Sequence, residues 1–185
     1  MNSRRTSVTH PLRVDWIRPE DVPQFAGRLG LTFAPGKWQP EGHTAFWDRD
    51  LEADLTRLRD AWTTDCLVTL NEGHELERLR IPTLCERAVA AGIESLYFPI
   101  PDQGIPSDPG AFAELCAQIT ERLADGRRVV VHCMGGLGRS GLVAAACIIG
   151  LGYSSEQAIA LVRNARPGAV ENTAQERFLA GVAPA

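Results

Sequence analysis

The 185-residue sequence predicts an α/β fold in a single domain, with a central, mostly parallel sheet of about four to five strands and helices on both faces. Short β-branched or apolar runs alternate with amphipathic segments, which is typical of parallel sheets covered by helices. The length suits one domain with a substantial core, and 44% hydrophobic and 23% charged residues are ordinary for a globular protein. No repeat, low-complexity block or linker divides the chain.

The first third of the chain predicts a tail followed by two strands and a helix. Residues 1–11 are expected to be a flexible N-terminal tail, and 12–185 to form the domain. Residues 12–17 alternate polar and apolar side chains as a half-exposed strand does, and 29–33 predict a second strand. A helix is predicted over 48–61, because its apolar residues recur on one face. That face carries Leu51, Leu55, Leu58 and Trp62.

In the rest of the chain, predicted strands continue to alternate with predicted helices. Strands are predicted at 66–70, 96–98 and 129–132, and helices at 82–91, 108–124, 142–149, 154–165 and 173–181. Proline, glycine and a capping box at Ser154 and Gln157 set several of these ends. In such folds ligands bind beyond the carboxyl ends of the strands. We therefore expect the functional site where the loops after Leu70, Phe98 and His132 meet.

The loop after the strand at 129–132 has the composition of an anion-binding site. Its glycines, 135, 136 and 138, allow successive backbone N–H groups to converge, and the following helix adds partial positive charge. Arg139 can add a bidentate contact to a tetrahedral anion. The same field is expected to lower the pKa of Cys133 from about 8.5 into the roughly 3.5–7.5 range of activated cysteines. The predicted phosphate-binding residues are Met134, Gly135, Gly136, Leu137, Gly138 and Arg139.

This loop resembles the Cys-x5-Arg-Ser signature of the protein tyrosine and dual-specificity phosphatases. From Phe98 to Gly150 the chain is most similar to the kinase-associated phosphatase (cyclin-dependent kinase inhibitor 3) branch, whose loop also reads His-Cys-x-Gly-Gly-Leu-Gly-Arg-Ser. Residues 98–106 resemble the strand and loop that carry the general acid of that family. The similarity is weaker before about residue 60.

The resemblance implies a role for each side chain of the loop. Cys133 would be the nucleophile that forms a cysteinyl-phosphate, the alternative being a buried structural cysteine. Arg139 would clamp the equatorial oxygens of the phosphoryl group. Ser140 would donate a hydrogen bond to the sulfur when the intermediate breaks down, and it could equally be a helix N-cap. His132 would either belong to the network that lowers the pKa of the cysteine or only shape the loop.

Two further residues are implied outside the loop. Asp102 is the expected general acid, which protonates the leaving oxygen and afterwards activates water. A turn-forming aspartate is the alternative, and Asp108 is the competing carboxyl, although its place before Pro109 better fits a helix cap. Gln175 aligns with a water-orienting glutamine of related phosphatases, or else it lies on a solvated helix face. No metal and no other cofactor is expected, since no ligands occur at suitable spacing.

The predicted function is therefore hydrolysis of phosphotyrosine, phosphoserine or phosphothreonine in proteins. One alternative is a phosphatase of inositol phosphates, phosphoinositides or RNA 5′-triphosphate ends, but Met134 and Leu137 stand where lysine would help such substrates. Another is a phosphate-reading interaction module, which would require a lost catalytic group. A dinucleotide site is excluded, because Gly136, Gly138 and Gly141 fit the glycine spacing but no acidic residue ends a second strand.

The resemblance and the composition together indicate the expected partners and location. The resemblance implies a phosphorylated protein substrate and a partner kinase, and the loop should bind phosphate or sulfate ions. A net charge of −4 argues against general binding of nucleic acid or anionic membranes. Five cysteines without Cys-x-x-Cys spacing suggest neither disulfides nor zinc, so we expect the reducing cytoplasm as the location. We also expect the protein to be a monomer.

Overall fold

The computed structural model describes residues 3–42 and 45–183. The strands are β1 (Arg4–Arg5), β2 (Asp15–Trp16), β3 (Arg28–Phe33), β4 (Trp38–Gln39), β5 (Phe46–Asp48), β6 (Cys66–Thr69), β7 (Glu94–Tyr97) and β8 (Arg128–Cys133). The helices are α1 (Leu51–Asp60), α2 (Gly73–Arg78), α3 (Leu84–Ala90), α4 (Pro109–Ala124), α5 (Gly138–Ile149), α6 (Ser155–Ala165) and α7 (Thr173–Ala180).

The central sheet has five strands in the order β2-β3-β8-β6-β7. All neighbours are parallel except β2, which pairs antiparallel with β3 at the edge. The prediction of one mostly parallel sheet is confirmed. β8 lies at the centre because a β-branched run is suited to burial on both faces. Val129 and Val131 contact the core on one face, and Val130 contacts the core on the other.

Helices cover both faces of this sheet. The larger core includes side chains of α4, α5, α6 and α7, and the smaller one includes side chains of α1, α2 and α3. All residues of α5 are buried, which explains why its sequence after Ser140 is apolar on every side. Each buried leucine or isoleucine contributes about 1.5–3 kcal/mol relative to exposure. This packing fixes the start of α5 against the end of β8.

The N-terminal segment differs from the predicted flexible tail. β1 pairs in parallel with β5, in a small three-stranded sheet of order β1-β5-β4. The Arg49 side chain, fully buried, donates to the His10 carbonyl at 2.8 Å and forms an ion pair with Asp54. Residues 3–11 are therefore held against the domain by contacts with distant residues, which local sequence patterns do not reveal.

Several predicted element bounds also change. The strand expected at 12–17 is reduced to β2, and α2, β1, β4 and β5 were not expected at all. The buried helix predicted from residue 142 begins at Gly138, so Arg139 and Ser140 lie in its first turn. No helix within 3–42 and 45–183 is long and apolar enough to cross a membrane.

The carboxyl ends of the parallel strands meet as expected. The Leu70 N–H donates to the His132 carbonyl at 3.1 Å, and the Ile100 N–H donates to the Leu70 carbonyl at 3.0 Å. The loops that follow β6, β7 and β8 are thereby held side by side. This edge of the sheet carries the candidate site.

Candidate active site

The loop after β8 curls around the sulfur of Cys133. The side chain is buried at 3% exposure, its Sγ accepts the Gly136 N–H at 3.2 Å, and the Ser140 Oγ lies 3.7 Å away. Gly136 has a φ of 70°, and a Cβ there would lie 2.4 Å from the Thr32 carbonyl oxygen. Only glycine fits this position, so the curl depends on it.

Groups outside the loop hold its carbonyls. The Lys37 Nζ donates to the Met134 carbonyl at 3.1 Å, and the Arg166 Nη2 donates to the Gly135 carbonyl at 2.8 Å. The Val170 N–H donates to the Leu137 carbonyl at 3.3 Å. In a planar trans peptide the N–H points opposite to the carbonyl, so outward carbonyls turn the next N–H groups inward. This arrangement makes the concave anion site that the glycines predict.

Lys37, the only lysine of the sequence, lies beside this loop. It is 4% exposed, and its Nζ lies 4.9 Å from the Phe33 ring centroid and 4.7 Å from that of Trp47. Burial lowers the pKa of Lys37 to about 8, and the negative charge of a Cys133 thiolate opposes that shift. Lys37 therefore combines a contact to the loop backbone with a positive charge close to the sulfur.

Arg139 is buried at 1% exposure, and both Nη atoms of its guanidinium bind the Glu75 carboxylate. Its Nη1 donates to the Glu75 Oε2 at 2.5 Å and to the Ile100 carbonyl at 3.0 Å, and its Nη2 donates to the Glu75 Oε1 at 2.9 Å. Burial alone would lower the pKa of Arg139, but the bonds to Glu75 outweigh it and the pKa is raised. The guanidinium is thus fixed and permanently charged.

Glu75 is the partner that the sequence did not indicate. Burial opposes its ionisation, but the hydrogen bonds from Arg139 prevail and lower the pKa of Glu75. The Glu72 N–H donates to its Oε2 at 2.8 Å, and the Asn71 Nδ2 donates to its Oε1 at 3.3 Å. The three-residue spacing of Glu72 and Glu75 is that of a capping box and was the one available signal for α2.

Asp102 lines the same cavity as the loop and is hydrogen-bonded to Arg139. Its Oδ1 accepts from the Arg139 Nη2 at 2.7 Å and from the Gln103 N–H at 3.1 Å, and the side chain is 48% exposed. It thus engages Nη2, one of the two donors (Nη2 and Nε) of the guanidinium edge that a bidentate phosphate would use. The competing carboxyl, Asp108, caps α4 by accepting from Gly110 and Ala111.

The positions of His132 and Ser140 bear on the alternatives that the sequence left open for each of them. His132 is fully buried, and its Nε2 is 2.8 Å from the Thr69 Oγ1. Burial lowers the pKa of His132 to about 3, so the ring is neutral near pH 7 and supplies no positive charge to the sulfur. Ser140 is not the N-cap of α5, because Leu137 holds that position. Its hydroxyl faces Cys133 instead.

Gln175 is buried rather than on a solvated helix face. Its Oε1 accepts the Glu171 N–H at 3.0 Å, and its Nε2 donates to the Gly104 carbonyl at 3.2 Å. The Asn172 Nδ2 donates to the Gln103 carbonyl at 2.9 Å. Two amide side chains therefore hold the loop that carries Asp102, and Gln103 within it has a φ of 57°. Sequence reasoning missed Asn172, Lys37 and Arg166, since no local motif contains them.

The site opens into a cavity of about 680 Å³. Its walls come from the N-terminal segment, the small sheet, the phosphate-loop region and the segments at 102–103 and 166–171. The lining side chains include Arg5, His10, Arg13, Asp15, Phe33, Lys37, Trp47, Asp102, Met134, Leu137, Arg166 and Glu171. Among the residues that the structure describes, no three His, Cys, Asp or Glu side chains are grouped so as to hold a metal ion.

Comparison with known proteins identifies a family. The model of the cyclin-dependent kinase inhibitor 3 family matches residues 7–159. Cyclin-dependent kinase inhibitor 3 of Rattus norvegicus is 33% identical over 174 residues, covering 91% of this chain and 77% of the relative. That of Homo sapiens is 34% identical over 176 residues with the same coverage.

Solved structures give the same result. A kinase associated phosphatase in which serine replaces the catalytic-site cysteine is 30% identical, with a TM-score of 0.82 over 91% of this chain and 92% of that one. The active form of the phosphatase Tk-PTP is 34% identical, with a TM-score of 0.66 over 84% and 92%. Both are similar to this chain in fold and in sequence.

Proposed function

The chain belongs to the cyclin-dependent kinase inhibitor 3 family and is a dual-specificity protein phosphatase, and we propose that Cys133, Arg139 and Asp102 carry the reaction. The observation that supports these roles best is the arrangement around Arg139. Glu75 accepts from both Nη atoms of the guanidinium, while Asp102 accepts from Nη2 and lines the same cavity as Met134 and Leu137 of the loop. A substrate phosphate that takes the edge formed by Nη2 and Nε places its bridging oxygen near the displaced carboxyl group.

In the first step the Cys133 thiolate attacks phosphorus. The S–P bond forms as the P–O bond to the substrate breaks, and protonated Asp102 gives its proton to the leaving oxygen. The inward N–H groups of the loop and Arg139 hold the three equatorial oxygens, where charge lies in a loose transition state. These donors need no rearrangement during the reaction, because Lys37, Arg166 and Glu75 already fix them.

In the second step water cleaves the cysteinyl-phosphate. Asp102, now a carboxylate, accepts a proton from the attacking water, and the S–P bond breaks to return the thiolate and release phosphate. We propose that Ser140 stabilises that leaving sulfur by a hydrogen bond, since its hydroxyl is 3.7 Å away. Gln175 and Asn172 would keep Asp102 in range by holding the backbone beside it.

The substrate we propose is a phosphorylated protein, in which either phosphotyrosine or phosphoserine and phosphothreonine are cleaved. The names of the relatives refer to a cyclin-dependent kinase, and we propose a phosphorylated kinase among the substrates of this chain. No cofactor enters the steps above. Phosphate and sulfate should compete with substrate for the loop. The five free thiols would remain reduced in the cytoplasm, which we propose as the location.

The nucleophile is tested by paired cysteine variants. Purified protein with a metal chelator should hydrolyse an aryl phosphate and a phosphothreonine peptide, and Cys133→Ser should abolish both activities. Cys85→Ser is the control, because that half-buried thiol lies on α3. If Cys133→Ser retained the full rate, the proposed mechanism would be wrong.

A further inference from the structure

We propose that Arg5 and Arg13 form a second anion subsite in the wall of the active-site cavity. The inference deepens the proposed function and rests on it. The preferred substrates would be phosphoproteins that carry a second phosphate, or an acidic side chain, close to the residue being dephosphorylated.

The cavity wall carries more positive charge than one phosphate requires. Four arginine or lysine side chains, His10 and three acidic side chains line it. Two of the acids are engaged, Asp15 with Arg166 and Asp102 with Arg139. The third is Glu171, whose pKa is raised by burial and by the nearby Asp102 charge. This local excess contrasts with the net charge of −4 for the whole chain.

The two arginines of the proposed subsite have no acidic partner within 3–42 and 45–183. The Arg5 guanidinium lies 5.4 Å from the Trp47 ring centroid, and its Nε is buried without an acceptor. Its neighbour Arg4, by contrast, forms an ion pair with Asp48 outside the cavity lining. Within the described residues, Arg5 and Arg13 thus differ both from Arg4 and from Arg166, which is paired with Asp15 in the same wall.

The position of Arg5 and Arg13 in the cavity wall suits them to bind an anion other than the phosphate being cleaved. The phosphate being cleaved would be held by the loop and by Arg139, which is not part of the cavity wall, so the wall guanidiniums remain available for another anion. A guanidinium binds phosphate or carboxylate through two parallel hydrogen bonds, and a partly enclosed cavity screens that attraction less than open solvent does. The pairing of β1 with β5 holds Arg5 in the wall before any ligand arrives.

A phosphopeptide fits the rest of the wall better than an inositol ring does. The Phe33 and Trp47 rings, with centroids 5.1 Å apart, give the cavity an aromatic surface against which a peptide side chain can pack. A ring that carries several phosphates would need cations at the loop itself, where Met134 and Leu137 stand. We therefore assign the subsite to an acidic or doubly phosphorylated peptide.

Three matched peptides test the subsite. They share one phosphothreonine and differ two residues away, where they carry phosphoserine, glutamate or alanine. The wild-type protein should show a kcat/KM about tenfold higher for the doubly phosphorylated peptide than for the alanine peptide, as charge-assisted bonds of this kind allow. Arg5→Gln/Arg13→Gln should reduce this ratio to about two or less. Arg18→Gln is the control, because Arg18 is paired with Asp21 and lies outside the cavity lining.

The outcomes separate this inference from the proposed function. Equal kcat/KM values for all three peptides, with hydrolysis still dependent on Cys133, would overturn the subsite alone. If none of the peptides were hydrolysed, the phosphatase function itself would fail. Faster turnover of soluble inositol bisphosphate, or of vesicles that contain phosphatidylinositol phosphate, would overturn the peptide assignment. Arg13→Gln alone gives the same test at an exposed position if the double variant does not fold.

Discussion

At the scale of single residues, the Glu75–Arg139 pair has the largest expected effect on stability. Glu75→Gln removes the charge that compensates a guanidinium buried at 1% exposure. Breaking such a buried pair costs about 3–5 kcal/mol. Urea unfolding should show this loss, together with a fall in kcat/KM. The exposed pair of Glu52 and Arg87 offers a control, and Glu52→Gln should leave both measurements unchanged. Equal stability of the two variants would contradict the role of Glu75.

Asp102 is the residue whose role depends on the leaving group. Asp102→Asn should slow hydrolysis of phosphothreonine peptides by about 10²–10⁴, since an alkoxide leaves poorly without a proton. An aryl phosphate with a good leaving group should lose much less. Asp108→Asn should leave both rates unchanged, because asparagine is also a good N-cap for α4. If Asp102→Asn slowed both substrates equally, Asp102 would not be the acid.

His132 makes the free energy of unfolding depend on pH. Its pKa is about 3 in the folded protein and about 6.5 when unfolded, so the unfolded chain binds the additional proton as the pH falls. The stability it contributes is complete above pH 6.5 and decreases toward pH 3, by at most about 1.4 kcal/mol per pH unit. Between pH 6.5 and 5, wild type should lose up to about 2 kcal/mol more than His132→Gln in urea unfolding. Parallel losses in the two proteins would refute this assignment.

At the scale of elements, the loop that carries Asp102 depends on α7. Asn172 caps α7 through its Oδ1 and holds the Gln103 carbonyl through its Nδ2. Asn172→Asp keeps the cap and removes the donor. Loss of one such hydrogen bond, worth about 0.5–1.5 kcal/mol, should lower kcat about two- to tenfold with little change in KM. Ser154→Asn, at the cap of α6, should change neither. A rise in KM without a fall in kcat would argue against this positioning role.

The elements that sequence predicted best are those with a strong local pattern. The β-branched run at Val129–Val131 predicted β8, and the apolar segment after it predicted α5. The cap at Asp108 predicted the start of α4. α2 was missed because it has only six residues, most of them polar, and is stabilised by the pairing of Glu75 with Arg139. β1, β4 and β5 are two or three residues long, too short for an alternating pattern to appear.

At the scale of the whole molecule, the site residues that could be predicted are those that lie in one motif or follow a predicted strand. Cys133, Arg139 and Ser140 lie in one motif, and Asp102 lies on the loop after β7. β6 separates β7 from β8, but the three strands are parallel, so their following loops lie at the same edge of the sheet. Lys37, Glu75 and Asn172 reach the site from distant segments. Their positions depend on how the helices and the small sheet pack, which no local pattern encodes. The same reason explains why residues 3–11 were expected to be a tail.

The most direct test of the central claim is a crystal structure of Cys133→Ser bound to a phosphothreonine peptide. We expect the phosphate at the inward N–H groups of the loop, with two hydrogen bonds from the Arg139 Nε and Nη2. Asp102 should have left Arg139 and lie within about 3 Å of the bridging oxygen. A phosphate bound elsewhere, with Asp102 still paired to Arg139, would contradict the account.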